Sequence, residues 1–162
     1  MMIATILFAR SVLVQSKQDI RAVQAIEYGV YRHLIGVAGY TAVCALRGEI
    51  GTSLMESRMM ESTILLAKDG LEGDFDMVNS AIEFDRETEK GEWIRTVNQY
   101  LETLNISWDN LIDWDKKTIK LRVKEYDTDK WQEEMMTKPT LHLYMEAKLK
   151  MGYEECYTNS YP

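Results

Sequence analysis

The stretch "ALRGEIGTSLMESRMM", Ala45 to Met60, sets Arg47 just ahead of two glycines that bracket Glu49 and Ile50, with a methionine-rich segment behind them. Its reading decides the fold. As a loop, Arg47-Gly48-Glu49-Ile50-Gly51 would be a place for chemistry, but it lacks the glycine spacing and the lysine of a phosphate-binding loop. As a turn it is coherent, because two glycines permit positive φ at low cost and let one helix stop and another begin within a few residues. Ser53 and Glu56 form an S-x-x-E capping box, and Leu54, Met55, Met59 and Leu66 make an apolar side that runs to Lys68-Asp69-Gly70. A short helical turn around Val43 to Arg47 is expected ahead of the glycines.

Working outward, Ile20, Val23, Ile26, Val30 and Leu34 recur at spacings of three and four, one face of a helix that Ser16 and Asp19 would cap and that Gly36 and Gly39 end. "LEGDFDMVNSAIEFDRETEKG" predicts a loop and an amphipathic helix with Phe75, Val78 and Ile82 inward and Gly91 as its stop. Trp93, Val97, Tyr100, Leu101 and Leu104 continue in helical register to Asn105, and Ser107 caps a short turn with Trp108 and Leu111. A longer helix carries Ile119, Val123, Tyr126, Trp131 and Met135 before Pro139 interrupts it. Leu141, Tyr144, Met145 and Leu149 form the last helix, ended by Gly152. Sustained two-residue alternation is absent, so the expectation is all-α, an irregular array of seven or eight helices with short loops. A weak boundary falls near Gly70 to Asp74 and divides the chain into 1–70 and 71–162.

A chain of 162 residues with 46% hydrophobic side chains, four Trp and nine Tyr can bury a substantial core. The net charge of -7 argues against nucleic-acid binding by bulk attraction. The charge is unevenly spread: residues 1–68 hold seven Lys/Arg against five Asp/Glu, and residues 69–162 hold twelve against twenty-one. Any polyanion surface is therefore expected in the first part. Cys44 and Cys156 match no metal-ligand or disulfide spacing, which predicts a reduced, intracellular setting. "MMIATILFA" lacks a basic leader and is too short to span a bilayer, so it reads as the start of a buried helix and no membrane partner is expected.

The chemistry-bearing candidates resolve into bland readings. Tyr126 to Asp129, "YDTD", has a tyrosine and two carboxylates, but Thr128 separates the aspartates within a helical pattern, where a metal site would need adjacent carboxylates on a tight hairpin. A solvated helix face is expected there. His33 and His142 have no ligand or nucleophile motif beside them. Met55, Met59 and Met60 read as core filling. No self-sufficient active site, metal site, cofactor or small-molecule substrate is predicted. Arg21 and Arg32, off the apolar face of the first helix and near Tyr28, Tyr31 and His33, could grip phosphates and sugars.

The run "DIRAVQAIEYGVYRHLIGVAGYTAVCALRGEIGTSLMESRMM" resembles the region after the catalytic palm in reverse transcriptases of non-LTR (LINE-type) retrotransposons. In that family a helix ends in a tyrosine-arginine-x-x-x-glycine pattern, matched by Tyr31, Arg32 and Gly36. An arginine-glycine-glutamate-x-glycine turn follows, matched by Arg47 to Gly51, and then an arginine-bearing helix, matched by Arg58. The resemblance continues through "GEWIRTVNQYLETLNISWDNL", "IKLRVKEYDTDKWQEEM" and "KPTLHLYMEAKLKMGYEECYTN", nearly the whole chain. It implies that 1–70 is thumb-like and that 71–162 is a post-thumb helical region leading toward a zinc knuckle whose Cys and His are missing. Such a region would lack palm and endonuclease and be no enzyme alone. Its implied partners are an RNA/DNA template-primer duplex, held through Lys17, Arg21, Arg32, Arg47 and Arg58, and the palm and fingers of the parent polymerase. The alternative is a stand-alone helical protein-interaction module derived from such an element, with Trp93, Trp108, Trp114 and Trp131 on its binding surface.

Overall fold

The structure, a computed structural model, describes residues 17–73, 76–148 and 150–152. Eight α-helices follow one another on short connections: α1 Lys17–Ile35, α2 Val43–Ile50, α3 Met55–Glu72, α4 Asp76–Thr88, α5 Glu92–Leu104, α6 Trp108–Asp113, α7 Lys116–Met136 and, after a 3-10 turn at Pro139–Leu141, α8 His142–Ala147. No strand occurs among the described residues, so the fold is the all-α array that the periodicity predicts. Residues 1–16, read as a cap and the start of a buried helix, lie outside the described residues, as do Phe75, Leu149 and Cys156.

The long helix α3 is the hub, packed on α1, α4, α5, α6 and α7. Its Met60, Ile64 and Ala67 meet Val97, Leu101 and Leu104 of α5, Leu111 of α6, and Ile119 and Val123 of α7 in the main core. The core is thus built from residues on both sides of the boundary read near Gly70. A smaller cluster joins Ile20 to Met55 and Met59, so the three methionines fill core gaps as expected. A third gathers Cys44, Trp131 and Met135 with Tyr144, Met145 and Met151 around them.

Helix ends explain the local boundaries. The Gly36 N–H donates to His33 O and the Val37 N–H to Arg32 O with Gly36 at φ +73, a double bond that closes α1. Asn105, at φ 54, closes α5 the same way, with its own N–H on Glu102 O and that of Ile106 on Leu101 O. Ser107 accepts from the Asn110 N–H at 3.1 Å and caps α6 as its spacing predicts. Asp115 caps α7 by accepting from Thr118, which holds its carboxyl below the usual carboxylate range. Long cations close two carboxyl ends: Lys68 Nζ donates to Leu111 O and Ile112 O of α6, and Arg122 Nε to Leu104 O of α5.

Several expectations need correction. α3 begins at Met55 with Leu54 at its N-cap and no side-chain cap from Ser53, and the carboxylate of Asp127 on α7 takes the Leu54 N–H at 3.0 Å. It runs through Gly70 to Glu72, and Gly70 leaves room for Ile82 of α4. α4 ends at Thr88, with Glu89 at φ 50, and Gly91 precedes α5 instead of stopping α4. Val78 is exposed and only Ile82 of α4 is buried.

α1 departs furthest. Its packed side is Ile20, Val23, Gln24, Glu27, Tyr28 and Tyr31, while Ile26, Val30 and Leu34 of the expected inner face are 51%, 45% and 73% exposed. The reason lies on α3: Arg58 forms an ion pair with Glu27, whose other carboxylate oxygen accepts from Tyr31 at 2.8 Å, and that polar ladder turns the helix.

Candidate nucleic-acid interface

The five basic positions expected to face a duplex are dispersed by the fold. Lys17 opens α1, and its side chain lies outside the described residues. Arg21 is exposed on α1. Arg32 is half-buried and donates from Nη2 to Thr41 O at 2.9 Å, tying the loop after α1 to its last turn. Arg58 is 23% exposed, its guanidinium turned to Glu27. Its Nε is buried and has no hydrogen-bond partner.

Arg47 is at 0% exposure and is not presented to a phosphate. It donates to Asp127 at 3.1 Å, Glu134 at 3.3 Å and the Thr52 carbonyl at 3.4 Å. Asp127, the first aspartate of "YDTD", is buried too, against the expectation of a solvated face, and accepts from Arg47, the Leu54 N–H and Ser57 Oγ. Asp129 alone of that pair faces water. One carboxylate therefore joins three elements, because an unpaired arginine in the interior would lose several kcal/mol of hydration, about the magnitude for a single ion.

The rest of the opening stretch is used the same way. Gly48 lies inside α2, not in a turn: a β-carbon there would sit 3.0 Å from Trp131 Cζ2 and closer still to the Tyr144 hydroxyl. Glu49 accepts from that hydroxyl at 2.9 Å and pairs with buried Lys148 at 3.6 Å. The Gly48 carbonyl accepts from the Gly152 N–H at 2.7 Å. Gly51, at φ +73, is the true helix stop, and a β-carbon on it would lie 2.8 Å from Gly152 Cα. Arg47 to Gly51 is thus a receptacle for α7, α8 and the segment after them.

Part of the charge read for the first part is interior, since Arg47, Lys68 and Glu27 are all buried. Of the tryptophans, Trp131 is buried with Nε1 on Cys44 O at 2.8 Å, and Trp93, Trp108 and Trp114 are partly buried against the main core. His33 and His142 are exposed. Burial, then the bond to Glu27, pushes the Tyr31 phenol up to about 12.

Two grooves border the basic side chains. One of about 360 Å³ is lined by Arg21, Lys130, Glu56 and Glu134 among others, two cations against two carboxylates. A second, of about 220 Å³, lies between α3 and α7 and is lined by Arg58, Lys120 and Lys124 with Ser53, Ser57, Val123 and one carboxylate, Glu61. Sequence reading missed Lys120 and Lys124; their spacing of four on the long helix is the only signal that marks them. Among the described residues no three His, Cys, Asp or Glu are grouped to hold a metal ion, and no helix is long and apolar enough to cross a membrane. No protein-family model, no curated protein and no solved structure matches the chain.

Proposed function

We propose that the chain is a thumb and post-thumb region of the LINE-type reverse transcriptase kind, a helical clamp that holds a template-primer duplex without a catalytic centre of its own. The observation that supports it best is the inverted placement of α1: a helix that buries Glu27 and Tyr28 while leaving Ile26, Val30 and Leu34 outside has an apolar side for a second neighbour. In this reading the neighbour is the palm of the parent polymerase, and Arg21 is the basic side chain of α1 placed for phosphate contact. Stiff helices with a few exposed cations suit an enzyme that must accept every sequence, because phosphate contacts position a duplex without reading its bases.

A salt titration of binding to an RNA/DNA primer-template duplex, followed by fluorescence anisotropy, tests it. Binding at low ionic strength that weakens severalfold in Arg21→Glu, with a salt slope shallower by about 1, is the expected result. Absence of binding at the lowest salt would sink it. The second reading, a stand-alone helical interaction module, draws on the same exposed side of α1. A stable dimer in sedimentation, indifferent to added duplex, would favour that reading.

A further inference from the structure

We infer that the groove between α3 and α7 is a phosphate-binding site, with Lys120, Lys124 and Arg58 as its cations and Ser53 as a hydroxyl donor. The groove is a local inversion of charge on an acidic chain: Lys120 and Lys124 line it against Glu61, beside an Arg58 that is ion-paired with Glu27. Lys120, itself exposed, reaches half-buried Glu61 only at 3.9 Å, so the pair holds it weakly. Lys124 has no ion-pair partner among the described residues, and neither does the Ser53 hydroxyl have a hydrogen bond there. Arg58 adds a charged donor whose buried Nε–H has no hydrogen-bond partner among the described residues, a condition it shares with Arg32 Nε on α1.

The groove also lies beside the start of α3, where the Asp127 carboxylate already takes the Leu54 N–H and the Ser57 hydroxyl, so the lysines and not the helix end supply its positive potential. Its volume of about 220 Å³ holds a phosphate group with part of the sugar that carries it, and Val123 gives it an apolar floor. Ser57 keeps its hydroxyl hydrogen on Asp127 at 2.8 Å and offers only its oxygen, so Ser53 is the donor of the two. The chemistry fits a phosphate group, whether of a nucleic-acid backbone or of a small phosphorylated molecule. The backbone form rests on the function proposed above, and the free form does not.

The test compares Lys120→Glu/Lys124→Glu with Lys117→Glu/Lys150→Glu, which makes the same change in net charge at exposed lysines outside the groove. Duplex binding should fall at least tenfold in the first variant and no more than about threefold in the second, with circular dichroism confirming that both fold. Equal effects, or none, would overturn the groove while leaving the nucleic-acid reading in place. Should the native chain bind no duplex, that reading falls by itself, and the groove is judged by titrating inorganic phosphate into labelled protein. Amide shifts confined to Ser53, Ser57, Lys120 and Lys124 uphold it, and their absence refutes it.

Discussion

Arg47 ties together the α2–α3 connection and the long helix α7 from the interior. Its guanidinium spans a carboxylate at each of two positions on α7 and a carbonyl in the α2–α3 connection, all within 3.4 Å. A buried ion pair adds little net stability over a well-packed apolar pair, but removing one partner strands the other. Arg47→Met should therefore lower unfolding free energy by about 3–5 kcal/mol in urea titrations, and a loss below about 1 kcal/mol would show that Asp127 is not stranded without its partner. Tyr31 gives a pH signature. Its phenol ionises near 10 in the unfolded chain and about 12 in the folded one, so the folded state keeps the proton more tightly. Its contribution is complete below pH 10 and is lost as pH rises toward 12. Tyr31→Phe should flatten the decline of the urea midpoint over that window relative to the native chain; identical profiles would mean that the phenol is not held by Glu27.

Glycines do opposite work within helices. Gly48 in α2 exists because Trp131 and Tyr144 occupy the space of a β-carbon, whereas Gly29 in α1 has nothing within 4 Å. Gly48→Ala should destabilise the protein by about 1–3 kcal/mol through overpacking. Gly29→Ala should stabilise it by about 0.5–1 kcal/mol by stiffening the unfolded chain and the helix. Thermal melts of the two variants moving in the same direction would contradict this. The ends of α1 and α5 and the start of α6 are legible in the sequence because their caps are local: Gly36, Asn105 and Ser107 act within a few residues. The start of α3 is not, since its N–H is capped by a carboxylate from a helix far along the chain.

At the scale of the molecule, the outward stripe of α1 is the unfinished feature. Burying a side chain such as Ile26 or Leu34 is worth about 1.5–3 kcal/mol, and α1 forgoes much of that for two of them to keep the Glu27 ladder inside. A triple exchange of Ile26→Lys, Val30→Glu and Leu34→Lys should leave stability within about 0.5 kcal/mol while reducing hydrophobic-dye binding and self-association at high concentration. Unfolding by this exchange would instead mean that the stripe is interior. Of the candidate site, the sequence identified Arg21, Arg32 and Arg58 as basic positions on the first helices. It could not separate them from Arg47, because an arginine in a ligand surface and one in a buried network look alike until its acidic partners are placed.

The order of amino acids by itself determined that the chain is helical, where α1 and α5 stop, and the buried methionines of α3 with most core positions of α5 and α7, because caps and 3.6-residue periodicity act over a few residues; it placed exposed Leu66 on the inner side of α3 and passed over buried Ile64. Only the tertiary structure decided which side of α1 turns inward, that "RGEIG" receives the chain's own later helices, and that Asp127 is interior. Those outcomes depend on ion pairs between residues about thirty to a hundred positions apart, where a single carboxylate such as Glu27 or Asp127 outweighs an apolar stripe, about several kcal/mol of lost hydration for a stranded charge against a partial gain per exposed side chain.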